Sequence, residues 1–394
     1  MTWELGGGIG HLSNLRQIAI PLLENGHEIF FAVKNLTYFQ TIFAGLDVSP
    51  LQAPVYNNYT RQRHPVTSAF LQILLNKGYG NIDVLKSHMD AWRNIFDLIR
   101  PDLLIFDHSP TAMVSSRGLK LKRILTGSGF ICPPPDYPLG VYSPERLKKD
   151  QINRLCKEDD LISENINRVL IKYGVNPIKN LADIYRDIDR KYLMTYPEFD
   201  HYGNREKTRY YGIWPESTGS RPDWPAHPGK KIYAYLKPFE VLPSLLQFLK
   251  DSSHPVVVFI HNPPEKLIRK YQSKTLKIVD SPLDLAYASQ QCDFAIVHAN
   301  HGTTTRMFLH GVPCVMIPLQ KEQFLYAERA ANLGFGVFAD KNSENSIIMS
   351  LKKLITDPQY KKNVRDFSYR YQDHIKKNNR SEIISSIQDL MNRA

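Results

Sequence analysis

Apolar residues at positions 12, 15, 18, 19, 22 and 23 recur at helical spacing, and Gly26 follows where a left-handed stop belongs. Residues 12–25 are therefore expected to form an amphipathic helix. The next apolar runs, 28–33 and 103–106, are continuous and of strand length. Strand, glycine loop, helix and strand make a βαβ unit of a parallel sheet, whose ligands collect at the carboxyl ends of its strands. Residues 55–99 are richer in Tyr, Asn and Gln and read as helical from about Thr67, an inserted region suited to shaping a pocket. A break follows at 209–229, where Pro215, Pro222, Pro225 and Pro228 stand among Gly212, Gly219 and Gly229. Beyond it the alternation restarts, with strand-like runs at 231–236, 255–261, 276–280, 294–298, 314–318 and 336–339. The pattern predicts an α/β protein of two Rossmann-like, doubly wound parallel-sheet domains. The expected division is 1–210, a linker 211–229, 230–370, and a C-terminal helix 371–394 folding back on the first domain.

A length of 394 residues suits two or three domains, each large enough to bury its own core. Fifty basic against 39 acidic residues leave a net charge of +11. The charges are interspersed with no basic tail, so a small phosphorylated ligand or an anionic membrane surface fits better than nucleic acid. Cys132, Cys156, Cys292 and Cys314 are far apart, which argues against a zinc site and a disulfide framework. No apolar run approaches the ~20 residues that cross a bilayer. No basic segment precedes an apolar stretch near Met1, so a soluble, cytoplasmic protein is expected.

Three stretches could carry chemistry. In Leu5-Gly6-Gly7-Gly8-Ile9-Gly10-His11, glycines such as Gly8 and Gly10 let the backbone turn sharply before a helix start. A dinucleotide fingerprint fails here, because His11 stands where a glycine is needed and the next strand ends in Lys34-Asn35 without a ribose-binding carboxylate. His11 is then either a helix-end residue or a base, since an imidazole suits proton removal from a hydroxyl at neutral pH. In Ile105-Phe106-Asp107-His108-Ser109, Asp107 falls at the same carboxyl edge. It either caps the next helix or orients His11, as a carboxylate orients a histidine in catalytic triads. In the third stretch a strand runs through His298 into His301-Gly302-Thr303-Thr304, followed by Gly311-Val312-Pro313 and Glu322-Gln323. Backbone amides, hydroxyls and an imidazole at such a helix start can cradle a diphosphate, while an acceptor and an amide can hold sugar hydroxyls.

The order His298, Gly302-Thr303, Gly311-Val312-Pro313, Glu322-Gln323 resembles the nucleotide-sugar glycosyltransferases of GT-B architecture, the UDP-glycosyltransferase and macrolide or glycopeptide glycosyltransferase superfamily. The acidic-Gln pair lies 24 and 25 residues after His298, the family's spacing. The continuation Tyr326-Ala327-Glu328-Arg329 through Leu333-Gly334-Phe335-Gly336 is also similar to the family's. The resemblance implies two domains facing a central cleft and a hexosyltransferase that moves a sugar, with inversion, from a UDP- or dTDP-sugar to an acceptor hydroxyl. It implies His11 as base with Asp107 as its partner, His298, Gly302, Thr303 and Thr304 on the diphosphate, and Glu322 and Gln323 on the sugar. The donor is a substrate, and the resemblance implies neither cofactor nor metal. Asp187-Ile188-Asp189 has the spacing of a metal-binding Asp-x-Asp, but it falls in a charged stretch that reads as helical.

Departures bear on the donor. Arg306 stands where the family usually carries a ribose-binding glutamate, and a guanidinium cannot accept a hydrogen bond. Transferases of this kind that use dTDP-sugars lack that glutamate too, so both donors stay open, and Arg306 is alternatively a diphosphate contact. Ala299-Asn300 replaces paired glycines, and Asp280, Ser281 and Leu283 are the nearest candidates to read the base. The basic clusters around Arg146, Lys361 and Lys376 read as solvated helix faces or as peripheral membrane contacts. The aromatics Tyr56, Tyr59, Phe70, Tyr79 and Trp92 read as core or as the wall of an acceptor pocket for a small molecule or lipid. A sugar-nucleotide epimerase or hydrolase of the same architecture, and a non-catalytic nucleotide-sugar-binding homologue, are the alternatives.

Overall fold

The computed structural model describes residues 1–56, 64–214, 219–261, 263–373 and 379–392. Two compact units divide the chain: Met1–Trp214 with Asn379–Ala394, and Pro215–Asn378.

The first unit is built on six parallel strands: β1 (Thr2–Trp3), β2 (Phe30–Val33), β3 (Ser49–Gln52), β4 (Leu103–Asp107), β5 (Lys122–Gly127) and β6 (Arg190–Leu193). Their spatial order is β3-β2-β1-β4-β5-β6, so the direction of winding reverses between β1 and β4. Trp3 pairs with Asp107 across that reversal, which puts the ends of both strands side by side. The helix Gly10–Glu24 follows the glycine loop and buries Leu12, Leu15, Ile18, Ala19 and Leu22, the stripe read from the sequence. Gly26 lies at φ 82°, past its C-cap. The same core layer contains Ile383, Ile384, Ile387 and Leu390 of the helix Arg380–Asn392, which therefore packs within this unit.

The inserted region contains the helices Phe70–Asn76 and Ile82–Ile99. Asn81 caps the second of these by accepting from the backbone N–H groups of Asp83 and Val84. Phe70, Tyr79 and Trp92 are buried, so these aromatics are core rather than an open pocket wall, whereas Tyr56 is half-buried. Tyr59 lies outside the described residues.

The second unit repeats the architecture with β7 (Ile232–Leu236), β8 (Val256–Ile260), β9 (Leu276–Val279), β10 (Phe294–Val297), β11 (Cys314–Met316) and β12 (Gly336–Phe338). Their order is β12-β11-β10-β7-β8-β9, again with a reversal, here between β7 and β10. All strand pairs are parallel. Both faces of β8 are buried, as a central parallel strand requires. Part of the Pro/Gly-rich stretch belongs to this unit: Ser220 bridges to Leu283, and the Trp224 indole N–H donates to Gln291 Oε1 at 2.6 Å.

Among the described residues no helix is long and apolar enough to cross a membrane. The four cysteines carry no disulfide.

Candidate active site

In the first unit, β1 delivers the chain into the loop at Gly6–Gly8, and β4 ends at Asp107. His11, in the first turn of the helix Gly10–Glu24, donates from Nδ1 to Asp107 Oδ1 at 2.7 Å. Asp107 is fully buried and His11 mostly so, with side-chain exposures of 0% and 17%. A carboxylate on Nδ1 leaves Nε2 as the basic ring atom. The ring also stacks on Trp3, with centroids 5.2 Å apart and planes at 21°. Gly6, at φ 80°, allows this packing: a Cβ there would stand 2.8 Å from His11 Nε2. Gly8, at φ 92°, and Gly10 are exposed, and a Cβ on either would touch nothing.

Two bracing residues were not legible in the sequence. The Lys34 ammonium donates to Gly6 O at 2.5 Å, so a lysine props up the glycine loop where a dinucleotide fold carries an acid. Burial and the nearby Lys77 charge push the Lys34 ammonium below its ordinary range. The buried Glu4 carboxylate accepts from Thr111 N–H at 2.6 Å and from Trp92 Nε1–H at 2.8 Å. Desolvation raises it to about 7 despite those donors. Only the charge of Lys34 and the polarity of Glu4, just past β1, pointed to them.

In the second unit, β10 runs into the helix His301–Leu309, whose first turn contains no acidic residue. Gly302 is exposed, and a Cβ there would meet nothing. Thr303 is half-buried, while Thr304 is fully buried with no hydrogen-bond partner for Oγ1 among the described residues. This helix start therefore offers backbone N–H groups beside an unsatisfied hydroxyl, a combination suited to phosphate oxygens.

His298 and Gln323, read from the sequence as ligand contacts, are braces in this structure. His298 accepts from Lys237 N–H on Nε2 at 2.8 Å and donates from Nδ1 to Ile317 O at 2.7 Å. Both ring nitrogens are thus engaged by backbone, tying the end of β10 to those of β7 and β11. Burial holds the ring neutral, pushing it down to about 4. Gln323 is buried, accepting from Leu319 N–H at 2.7 Å and donating to Asn300 Oδ1 at 2.5 Å. It clamps the loop before the helix start. Glu322, in the first turn of the helix Lys321–Asn332, remains half-exposed. Arg306 is only 8% exposed and lies inside the helix His301–Leu309, so it is not a surface replacement for a ribose-binding carboxylate.

Asp280 is exposed beyond β9, and Leu283 is buried. Beside them the Arg221 guanidinium lies 4.5 Å over the Tyr287 ring.

Asp187 and Asp189 form a turn rather than a helix, between the helix Ala182–Arg186 and β6. Asp187 pairs with Arg117 at 2.6 Å, and Asp189 accepts from Arg123 N–H at 2.8 Å. No group of three His, Cys, Asp or Glu side chains among the described residues is placed to hold a metal ion. Of the basic clusters, Arg146 pairs with Glu145, Lys361 is drawn into partial burial, and Lys376-Lys377 lie outside the described residues.

Two Rossmann-like units, each with its polar cluster where the strand order reverses, define the GT-B class of fold. Solved structures agree across the whole chain. Glycosyltransferase VinC in complex with DTDP aligns with a TM-score of 0.69 at 15% identity, covering 100% of this chain and 99% of that one. CalG4, the calicheamicin glycosyltransferase, aligns at 0.69 and 16% identity, over 100% and 98%. The spinosyn rhamnosyltransferase SpnG aligns at 0.65 and 17%, over 98% and 99%. Residues 292–378 match the family described as UDP-glucoronosyl and UDP-glucosyl transferase. The chain is also 33% identical over 70 residues to a sterol 3-beta-glucosyltransferase of Vanderwaltozyma polyspora, a match spanning 18% of this chain and 6% of that protein. The family match is confined to residues 292–378, while the GT-B fold extends over the whole chain.

Proposed function

We propose that this protein transfers a sugar from a nucleoside-diphosphate donor to an acceptor hydroxyl with inversion at the anomeric carbon. The observation that carries the reading is the 2.7 Å bond from His11 Nδ1 to the buried Asp107, made where β1 and β4 diverge. Asp107 holds the tautomer in which Nε2 keeps its lone pair and stabilises the imidazolium once formed. The acceptor gives its proton to Nε2 as its oxygen bonds to the anomeric carbon, and the bond from that carbon to the diphosphate oxygen breaks. The departing charge falls to the N–H groups of residues 302–304 and the hydroxyls of Thr303 and Thr304. His298 and Gln323 hold that helix start in place, and Glu322 accepts from hydroxyls of the sugar.

The donor is UDP- or dTDP-linked. The similar fold of VinC was solved in complex with DTDP, and a buried Arg306 offers no acceptor for a ribose 2′-hydroxyl. The acceptor class is an apolar alcohol, in keeping with relatives named for a sterol and for spinosyn.

Calorimetric titration of UDP and dTDP, followed by donor turnover with and without a hydroxysterol, tests the reading. One diphosphate is expected to bind wild type and His11→Ala alike and Thr304→Val about tenfold more weakly, the value of one or two hydrogen bonds. Acceptor-dependent release of diphosphate is expected to fall roughly 10²–10⁴-fold in His11→Ala. Binding of neither nucleotide would sink the proposal. Full activity in His11→Ala would remove His11 from the mechanism, and acceptor-independent turnover would indicate a hydrolase or epimerase instead.

A further inference from the structure

Lys34 stands one residue beyond β2, and its two ends reach the two parts of the chain against which His11 rests. Its backbone N–H donates to Trp3 O at 2.8 Å, and its ammonium donates to Gly6 O at 2.5 Å. Trp3 stacks on the His11 ring, and Gly6 lies against the Nε2 edge of that ring. Gln52 Nε2 donates to Lys34 O at 3.0 Å, so β3 in turn holds the lysine backbone. Lys34 therefore brackets the segment from Trp3 to Gly6. Among the described residues its ammonium has no carboxylate partner, so its charge acts on the surroundings.

One hydrogen bond and the breadth of one glycine separate that charge from the imidazole, since a Cβ on Gly6 would lie 2.8 Å from His11 Nε2. Lys34 Nζ is therefore within about 9 Å of Nε2, a distance comparable with the screening length at physiological salt. The other ionisable groups around the ring are few. Asp107, at the end of β4, accepts from Nδ1 and favours the protonated imidazole. Lys77, past the helix Phe70–Asn76, is close enough to act on both Lys34 and His108 and adds a second positive charge. Burial and these cations keep His108 neutral. Glu4 turns elsewhere, its carboxylate bonded to Thr111 N–H and Trp92 Nε1–H. An imidazole set beside a buried carboxylate alone keeps its proton to higher pH, which depletes the form a general base needs.

We propose that Lys34 is a positioning residue for His11: its ammonium fixes Gly6 against the ring, and its charge offsets that of Asp107, so that His11 releases its proton at a lower pH. Lys34 neither gives nor takes a proton in the transfer. This role rests on His11 being the base of the reaction proposed above, but the coupling between the two residues is measured without any substrate.

The experiment follows the His11 ring resonances by NMR through a pH titration of wild type, Lys34→Met and Lys34→Arg. Removing the cation in Lys34→Met is expected to raise the His11 midpoint by about 0.5–1 pH unit, the range between water-like and protein-like screening of a unit charge at that separation. Lys34→Arg keeps the charge and is expected to titrate like wild type. In acceptor-dependent turnover the acid limb of kcat/KM should move up by the same amount in Lys34→Met, with kcat about tenfold lower and the donor KM unchanged. A lysine with a structural role alone would lower activity equally at every pH. An unshifted or lowered His11 midpoint in Lys34→Met would overturn the proposal and leave the His11–Asp107 reading standing. A raised midpoint with an acid limb that stays in place would instead remove His11 as the base, and the proposed role with it. If Lys34→Met fails to fold, Lys34→Gln removes the charge while keeping a donor for Gly6 O, and the same outcomes decide.

Discussion

Gly6 and Ala299 occupy the same region of backbone space for opposite reasons. At Gly6 the absent side chain is what lets the His11 ring sit against the loop. Gly6→Ala would impose a left-handed alanine, costing about 1–2 kcal/mol, and drive a methyl to 2.8 Å from Nε2. The ring cannot yield easily, being stacked on Trp3 and bonded to Asp107. The expected outcome is that loss of stability in urea unfolding, and a fall of about 10² in initial rate, because small displacements of a reacting group are costly. At Ala299 the side chain is present at φ 57° in a buried loop. Ala299→Gly should therefore stabilise the protein by about 0.5–1 kcal/mol after the entropy cost of glycine is deducted; an unchanged urea midpoint would mean the loop carries no such strain.

Among the elements, the helix Arg380–Asn392 is part of the core of the first unit. It reaches that unit after the whole of the second has been traversed, and lays Ile383, Ile384, Ile387 and Leu390 on the core layer of the helix Gly10–Glu24. Hydrogen bonds hold its edges: Tyr192 OH with Ser386 Oγ at 2.9 Å and Asn379 Nδ2 to Tyr211 O at 3.1 Å. Ile387→Ala leaves a cavity at a position with no exposure, and about 2–4 kcal/mol of stability should be lost. Chemical unfolding measures that directly, and a change below about 1 kcal/mol would show that the helix is loosely held. Because this helix backs the one that carries His11, a parallel loss of turnover at temperatures where the protein stays folded would link packing to chemistry.

At the level of the whole molecule, the two units share one strand order and place their polar clusters at equivalent reversals. In the second unit, burial lowers His298 to about 4. The unfolded chain therefore takes up this proton near pH 6.5 while the folded chain resists it, so stability rises with pH between about 4 and 6.5. At pH 5 the contribution lost is roughly 2 kcal/mol, at about 1.4 kcal/mol per unit. Calorimetric melts at pH 7 and 5 should show the loss, and it should shrink in His298→Gln, whose amide can accept from Lys237 and donate to Ile317 without titrating. An identical pH dependence in that variant would place the sensitivity elsewhere.

Much of this architecture is local information. The helix Gly10–Glu24, β2, β4 and all six strands of the second unit are legible because each has an apolar run or stripe bounded by glycine, proline or polar residues. β3, β5 and β6 are not: Ser49–Gln52 is mostly exposed, Lys122–Gly127 opens on two basic residues, and so does Arg190–Leu193. Parallel strands take their partners from far along the chain, so a short polar strand has no signature of its own. The sequence by itself determined which chemistry-bearing residues reach the carboxyl edges of the sheets, since order along a βα unit decides that. Only the tertiary structure decided what each one touches. It bonded His11 to a carboxylate 96 residues away, turned His298 and Gln323 into braces, and buried Arg306 and His108. A side chain's role depends on its hydrogen-bond partners and its access to water, and in a parallel α/β fold both come from segments that are distant in sequence.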